Sequence, residues 1–271
     1  IALVEGRYQV SIPFDEFYQE NPIDMATVNM ETKAGREEYV NRCATMAAKL
    51  YSLNVPMVIT TIQVDESTDA EAGVPAYVIV ASRKAALDII EEANYGDRPD
   101  GDGPRIQEGD FVRAQITTVS RDGIAVVVGG VDTRVHLHAL TFEYLVDART
   151  KYKVGQEIMV QVEKIIKEKD GHHVVEVNCK NPELERAKQM RNALPIDSIV
   201  FGVVSSVTAN KKVAGNINLV AYIKMYDLPV LVNNMPAKFL GSEPTRGSTV
   251  RLRVLNYLDN GMILCRCIGT Q

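Results

Sequence analysis

The sequence has no long hydrophobic run and few cysteines. No window approaches the about 18 consecutive uncharged apolar residues that a membrane helix needs, and the opening residues show no basic stretch leading into an apolar core. We therefore expect a cytoplasmic protein with no membrane partner. Its four cysteines are too few and too unevenly spaced for a disulfide framework, which predicts reduced thiols.

Signatures of common enzymes are also missing. The chain has no glycine-rich phosphate loop, no His-Glu-x-x-His helix and no Gly-x-Ser-x-Gly turn. Acidic pairs occur at Asp15-Glu16, Glu37-Glu38 and Glu91-Glu92, but no apolar enclosure is predicted around them. We expect these carboxylates to be solvated, and the protein to be no enzyme and to need no cofactor.

What is present is an ordinary globular composition with an uneven distribution of charge. Of the 271 residues, 46% are apolar and 24% are charged, which fits two or three small domains. The net charge of −5 divides into −10 over residues 1–104, 0 over 105–180 and +5 over 181–271. A polyanion such as RNA would be repelled by the first third and attracted by the last. The alternative is that the acidic third only keeps the protein soluble.

Two segments divide the chain. Residues 94–104 contain three glycines and two prolines without apolar periodicity, which is typical of an exposed linker. Residues 181–195 open with Asn181, a good N-cap, and Pro182, and continue with apolar residues at helical spacing, which predicts a helical connector. The predicted domains are therefore an acidic 1–93, a central 105–180 and a basic 196–271.

The central domain is predicted to be a small β-barrel. Segments rich in Val and Ile are separated by turns at Asp122-Gly123, Gly129-Gly130 and Asp170-Gly171. The predicted strands are Phe111–Val119, Ile124–Val128, Val131–Leu137, Glu157–Ile166 and His173–Cys179. A turn-rich crossing over residues 141–155 separates the third strand from the fourth, as in the five-stranded OB-fold.

Four short sequence motifs in this domain resemble the S1 (S-one) RNA-binding domain, an OB-fold family named after a ribosomal protein. The motifs are Gly109 to Ala114, Gly129-Gly130-Val131-Asp132 leading to Val135-His136-Leu137, Tyr152 to Ile158, and Val160-Gln161-Val162. The resemblance implies a mainly β protein that binds single-stranded RNA, mRNA in particular, in translation or at the small ribosomal subunit.

Weaker versions of the same pattern flank the central domain. Segments of the last third match the first, fourth and fifth strands, at Ile199–Val207, Gly247–Val254 and Gly261–Ile268. Segments of the first third resemble the third to fifth strands with two added helices, at Gln9–Phe17, Val55–Val64, Val74–Ala81, Arg36–Leu53 and Arg83–Ala93. We therefore expect tandem five-stranded OB-like barrels, the first of them lacking its first strand.

The resemblance also implies where RNA binds in the central domain. In the family, RNA lies across strands two and three, where aromatic rings stack on bases and basic side chains meet phosphates. His136 occupies the family's histidine position, but Asp122 and Ala125 stand at the aromatic positions, so we expect weaker binding than in a typical member. The candidate residues here are Arg113, Arg121, Arg134, His136 and His138. The alternative is a solvated rim of arginines.

The last domain has the stronger electrostatic pattern. Arg251 and Arg253 share one face of a predicted strand, and the alternating apolar residues take the other face. The candidate RNA-binding residues of this domain are Lys211, Lys212, Tyr222, Arg251, Arg253 and Tyr257. The alternative for the tyrosines is a place in the core or at its rim.

The remaining histidines and cysteines predict no metal site. His136 and His138 could supply half of one, but no carboxylate or thiol follows at a ligand-like interval. His172-His173 are expected to be exposed in a turn. Cys265 and Cys267 are expected to be buried as small apolar groups.

Two functions remain open. The first is RNA binding through the last two domains. The second is a protein-interaction adaptor or regulator, whose barrels have lost RNA binding and which docks on a ribosome or polymerase assembly. In either case the acidic first domain is expected to contact a protein partner.

Overall fold

The computed structural model describes residues 2–4, 8–19, 23–48, 53–65, 76–98, 101–189, 194–238 and 243–270. Over these residues the chain forms three β-units in succession with few helices. The mainly β fold class predicted from the sequence is therefore confirmed. None of the helices in these ranges is long and apolar enough to span a membrane.

The first unit is a four-stranded sheet with two helices. Its elements are β1 (Ala2–Val4), β2 (Tyr8–Ser11), α1 (Lys33–Ala48), β3 (Val58–Asp65), β4 (Ala76–Ser82) and α2 (Arg83–Tyr95), with 3-10 turns at Phe14–Glu16 and Met25–Thr27. The strand order is β1-β2-β4-β3, and β2 runs parallel to β4. The predicted helix end at residues 49–52 and strand start at 74–75 lie outside the described residues.

The central unit is a five-stranded barrel. Its elements are β5 (Phe111–Val119), β6 (Gly123–Val128), β7 (Val131–His136), α3 (Leu137–Leu140), a 3-10 turn (Ala148–Thr150), β8 (Glu157–Lys167) and β9 (His173–Asn178). The sheet order is β7-β6-β5-β8-β9, and β7 and β9 lie against each other where the sheet curls round. Inward residues such as Ile116, Val126 and Val160 are fully buried, as a period-two pattern requires. All five predicted strands are confirmed.

The last unit is a closed five-stranded barrel preceded by a helix. Its elements are α4 (Asn181–Gln189), β10 (Ile199–Ala209), β11 (Asn216–Ile223), β12 (Leu228–Pro236), β13 (Thr249–Tyr257) and β14 (Ile263–Thr270). The order β10-β11-β12-β14-β13 closes on itself, with a parallel pair at Val230 and Ile263. The described strands of the first unit repeat this order, and none of them corresponds to β10. The connector residues 190–193 lie outside the described residues.

Helix α2 attaches the first unit to the central barrel. The Tyr95 hydroxyl donates to the carbonyl of Val128 at 2.9 Å, and the Asn94 amide donates to the carbonyl of Gly129 at 3.2 Å. Sequence analysis places Asn94 and Tyr95 in the linker, but both belong to α2 and cover the β6–β7 turn. Gly130 in this turn has φ 102°, and a Cβ there would meet the backbone N of Glu91 at 2.4 Å.

A buried carboxylate completes this contact. Glu91 is 4% exposed, and its Oε1 accepts from the backbone N of His173 at 2.6 Å and lies 2.9 Å from Nδ1 of the same residue. The predictions that Glu91 is solvated and that His173 is exposed are therefore wrong. The physical reason is that α2 packs on the β8–β9 turn, a long-range contact that no local pattern shows. His172, by contrast, is half exposed.

The two barrels meet through residues 141–144 of the central unit. The Glu143 carboxylate lies 3.0 Å from Nζ of Lys151 and 2.9 Å from Nζ of Lys224, which belongs to the last barrel. The Ser205 hydroxyl donates to the carbonyl of Phe142. The Arg246 guanidinium lies over the ring of Tyr144, 5.5 Å from its centroid. Ionic, hydrogen-bond and cation–π contacts therefore join the two barrels directly.

Replacing Gly130 by alanine is expected to loosen α2 from the central barrel. Gly171 in the β8–β9 turn is the matched control, because it also has a left-handed conformation (φ 96°) but open space around its Cα. Gly171→Ala should cost only about 1–2 kcal/mol for that conformation. We expect Gly130→Ala to lower the melting temperature further and to speed amide exchange in α2. Equal effects of the two variants would contradict a close helix–turn contact.

The contact between the barrels is expected to weaken in acid, because it includes the Glu143 carboxylate. Burial alone would raise the pKa of Glu143, but hydrogen bonds from Lys224 and Lys151 outweigh burial and hold it below its ordinary value. A carboxylate whose pKa is lowered on folding stabilises the native state above its ordinary pKa, and this contribution is lost as the pH falls through the lowered value. Glu143→Gln should therefore destabilise the protein by about 2 kcal/mol near neutral pH and by less near about pH 3 in urea unfolding. An equal loss at both pH values would contradict the ionic contact.

Candidate nucleic-acid interface

The predicted RNA-binding residues fall on several surfaces of the two barrels. Two of these surfaces are outer faces of strands, one on each barrel, and a third is the β10–β11 turn. The first of the faces is formed by β6 and β7 of the central unit, which correspond to strands two and three of the S1 resemblance.

The outer face of β6 and β7 contains two exposed candidates, Arg134 and His136. Arg134 pairs across the sheet with Ala125, and His136 pairs with Gly123. The neighbouring strand therefore contributes no ring at these positions. The rings of His136 and His138 stack instead, with centroids 5.9 Å apart and planes within 9°. This histidine pair is the flat surface that the face offers to a base.

The first unit covers one end of this face. Gln19 donates to the carbonyl of Gly130 at 3.0 Å and accepts from the backbone N of Asp132 at 3.2 Å. Arg83 of α2 lies 3.7 Å from the Asp132 carboxylate. The accessible part of the face is therefore the opposite end of β7, at Arg134 and His136.

Arg121 and Arg113 lie away from this pair. Arg121 is exposed in the β5–β6 turn. Arg113 is on β5, where it forms an ion pair with Glu157 at 3.6 Å, and both side chains are mostly exposed. An exposed pair of this kind contributes little to stability, so Arg113 remains available to a stronger anion at small cost.

Three arginines lie on the outer face of β10, β13 and β14, which we call the arginine face. Cross-strand pairing places Arg251 opposite Phe201, and Arg253 opposite Ile199 on one side and Arg266 on the other. Phe201 is 53% exposed and Ile199 44% exposed. Directly paired residues in a sheet have Cβ atoms about 5 Å apart, so Arg251 and Arg253 line one side of an exposed apolar strip on β10, and Arg266 lies one strand further.

The charge of this face is not neutralised by a carboxylate of the described residues. In the ranges that the structure describes, none of Arg251, Arg253 and Arg266 forms an ion pair. On the inner side of the same strand, Val250, Leu252 and Val254 are fully buried, so barrel closure holds the arginine side chains outward. The face can therefore take up anionic groups without breaking an internal contact.

The central barrel lacks this arrangement at the same register. There, Met159 pairs with Arg113 and Gln161 pairs with Phe111. The two positions on β8 that correspond to Arg251 and Arg253 are thus uncharged. Arg251 and Arg253 thus give the last barrel two outward charges that the central barrel lacks at these positions.

Sequence analysis missed Phe201 and Arg266 as members of the arginine face. The signal was available, because Arg266 alternates with two buried cysteines and Phe201 alternates with Val200 and Gly202. Alternation shows that these side chains point outward, but the pairing of β13 with both β10 and β14 is what brings them together. Only the topology supplies that pairing.

Lys211 and Lys212 are exposed at the tip of the β10–β11 turn. The side-chain oxygen of Asn210 accepts from the backbone N of Lys212 at 2.9 Å and shapes the turn. Phe201 and the turn stand eight residues apart on β10, or about 26 Å along an extended strand. The two lysines are therefore separate from the arginine face.

The two candidate tyrosines are not free stacking platforms. Tyr222 is 1% exposed, its hydroxyl donates to the Asp227 carboxylate, and burial raises its pKa. Tyr222 therefore offers no exposed ring to RNA, because its ring is covered at the junction with the central barrel, where Nζ of Lys151 lies 5.6 Å from the ring centroid. Tyr257 is half buried, and its hydroxyl donates to the carbonyl of Leu194.

The cysteines of the last barrel are packed as apolar groups. Cys265 and Cys267 are buried, as predicted, and so is Cys179 in the central barrel. Burial raises the pKa of the Cys265 and Cys179 thiols to about 12. Such thiols stay protonated near neutral pH and are poor metal ligands.

Comparison with known proteins identifies one segment of the chain. Residues 105–172 match the family model of the S1 RNA binding domain. No curated protein matches the chain.

Solved structures show only distant likeness. One is a complex of a/eIF2alpha, aDim2p and rRNA from Pyrococcus horikoshii OT3, at 19% identity and TM-score 0.25, covering 32% of this chain and 58% of that one. Another is a multidomain protein with nucleic acid binding domains from Streptococcus pneumoniae, at 11% identity and TM-score 0.22, covering 77% of this chain and 59% of that one. This chain thus spans less than two thirds of the length of each of these two solved chains.

The barrel topology, the register of its strands and the matched segment agree with one another. The central unit of this chain is an S1 RNA-binding domain, located over residues 105–172 and followed by a second barrel of the same strand order.

Proposed function

We propose that this protein binds single-stranded RNA, mRNA in particular, and acts in translation at the small ribosomal subunit in the cytoplasm. The observation that carries the proposal is the arginine face, with three arginines that form no ion pair among the described residues and the exposed ring of Phe201 opposite Arg251. The S1 domain next to it supports the same ligand class. The proposed role is binding, with no catalytic step.

Binding at the arginine face follows from two interactions. Arg251, Arg253 and Arg266 contact phosphates and release the cations condensed on them. Phe201 stacks on a base, and an arginine plane extends the stack. A base inside a duplex has both faces covered by its neighbours, so an exposed ring selects an unpaired strand.

The central S1 domain adds a weaker contact. Its histidine pair and Arg134 lie on the face that the family uses, but Ala125 replaces a ring. The first unit, with its net charge of −10 over residues 1–104, repels RNA. We therefore assign RNA to the two barrels and a protein partner to the first unit.

Charge reversal on the arginine face tests the site. Arg251→Glu with Arg253→Glu should weaken binding of a fluorescein-labelled single-stranded RNA by at least about tenfold in fluorescence anisotropy. The wild-type affinity should fall with salt at a logarithmic slope near about −2 for three phosphate contacts, and the double variant should lose most of that slope.

The matched control is the same double reversal in the first unit, at Arg36 and Arg42. It changes the net charge equally but lies on α1. Circular dichroism confirms that each variant is folded. Equal losses for the two pairs would contradict the placement of the site, and an affinity weaker than about millimolar at low salt would remove RNA as the ligand.

Phe201 tests base stacking separately from charge. Phe201→Ala should weaken RNA binding by roughly tenfold, because stacking on an aromatic ring contributes about 1–3 kcal/mol per base. The salt dependence should stay unchanged, since no charge is removed. Phe111→Ala is the control, because Phe111 is an exposed phenylalanine of the central barrel outside the arginine face. A Phe111→Ala loss as large as that of Phe201→Ala would contradict stacking at this position.

A second candidate is the adaptor or regulator that docks on a ribosome or polymerase assembly. It is favoured by Asp122 and Ala125 at the family's aromatic positions and by the first unit that covers the Asp132 end of the S1 face. The anisotropy titration separates the two candidates. RNA binding that depends on salt and on Arg251 and Arg253 supports the first, and its absence favours the adaptor.

A further inference from the structure

The junction between the first unit and the S1 domain contains a cluster of side chains that RNA binding does not use. Asp88 and Glu91 are three residues apart on α2 and therefore lie on the same side of the helix. His172, which is 81 residues from Glu91 in the sequence, approaches them from the β8–β9 turn. One ligand atom from each of the three lies within 4.8 Å of the other two.

Two details of this cluster distinguish it from an ordinary ion pair. Nδ1 of His172 and Oε2 of Glu91 are 3.4 Å apart, which is long for a hydrogen bond but close to the about 3.3 Å that separates two ligands on a tetrahedral zinc ion. Oδ1 of Asp88 is shielded from solvent and has no hydrogen-bond partner in the described part of the chain. A buried acceptor without a donor is costly, and a cation would satisfy it.

We propose that Asp88, Glu91 and His172 form a binding site for a divalent transition-metal ion, with zinc as the representative ion. The donor set is one imidazole nitrogen and two carboxylate oxygens, which suits zinc and its neighbours better than calcium or magnesium. The side chain of His172 is 51% exposed, so the ion can enter from solvent and retain water as a further ligand.

His173 holds the Glu91 carboxylate in place. Its backbone N donates to Oε1 of Glu91 at 2.6 Å, and its ring Nδ1 lies 2.9 Å from the same oxygen. These contacts fix the Glu91 carboxylate and leave Oε2 to the ion, as a second layer of residues does in established metal sites. Because Glu91 and Asp88 belong to the first unit and His172 to the S1 domain, a bound ion would link the two.

Zinc titration of the full chain tests the site. After treatment with EDTA and dialysis, the wild type should bind one zinc ion in isothermal titration calorimetry, and zinc should raise its melting temperature. His172→Gln should weaken zinc binding at least tenfold and abolish the melting shift. Asp88→Asn should weaken binding to a similar extent.

The control is the double variant His136→Gln with His138→Gln, which removes the other exposed histidines and should bind zinc as the wild type does. His172 is half exposed, so His172→Gln is expected to fold even where an α2 substitution does not. No binding by the wild type at about 100 µM zinc, unchanged binding by His172→Gln, or loss of binding in the control variant would each overturn the site.

Discussion

A buried carboxylate is central to the contact between the first unit and the S1 domain. Oε1 of Glu91 accepts a hydrogen bond from the backbone N of His173 and lies 2.9 Å from its ring Nδ1, and a hydrogen bond to a charged group contributes about 1.5–3 kcal/mol. Removing a partner from such a buried charge costs more than the pair contributes, because the charge is left without solvent. Since Glu91 and Tyr95 lie on the same short helix, the carboxylate and the tyrosine hydroxyl together fix α2 at two points of the barrel.

The contact between α2 and the S1 domain determines where the acidic charge of the first unit lies relative to the barrels. It places the acidic unit at the Asp132 end of the S1 face, where Gln19 and Arg83 already occupy the backbone and the carboxylate. The arginine face lies on the other barrel. A polyanion approaching the protein thus meets repulsion at one end and attraction at the other, which orients it before any contact forms.

The sequence predicts the barrels well because their determinants are local. Period-two alternation and Gly-bearing turns specify strands and hairpins within a few residues, so all five strands of the central barrel and the outward direction of Arg251 and Arg253 follow directly. The predictions that were wrong concern residues whose burial depends on contacts between distant parts of the sequence. Glu91 and His173 are 82 residues apart, and neither one's neighbours indicate burial.

The difference between local patterns and long-range contacts also explains which residues of the candidate site the sequence predicts. Tyr222 alternates like a surface residue, but its ring is covered where the two barrels meet: its hydroxyl donates to the Asp227 carboxylate, and Nζ of Lys151 lies 5.6 Å from the ring centroid. Phe201 and Arg266 each show the alternation of an outward residue, yet their association depends on which strands pair. Surface clusters on a barrel are therefore a property of topology, and composition alone does not reveal them.

Closure of the last barrel depends only on inward residues such as Leu252 and Ile263. The outward positions of the same strands are released from that constraint, and the two neighbouring barrels use this freedom differently: β13 presents Arg251 and Arg253 where β8 presents Met159 and Gln161. Tandem copies of one scaffold can thus specialise independently, since a change of ligand preference in one copy leaves the architecture of both untouched.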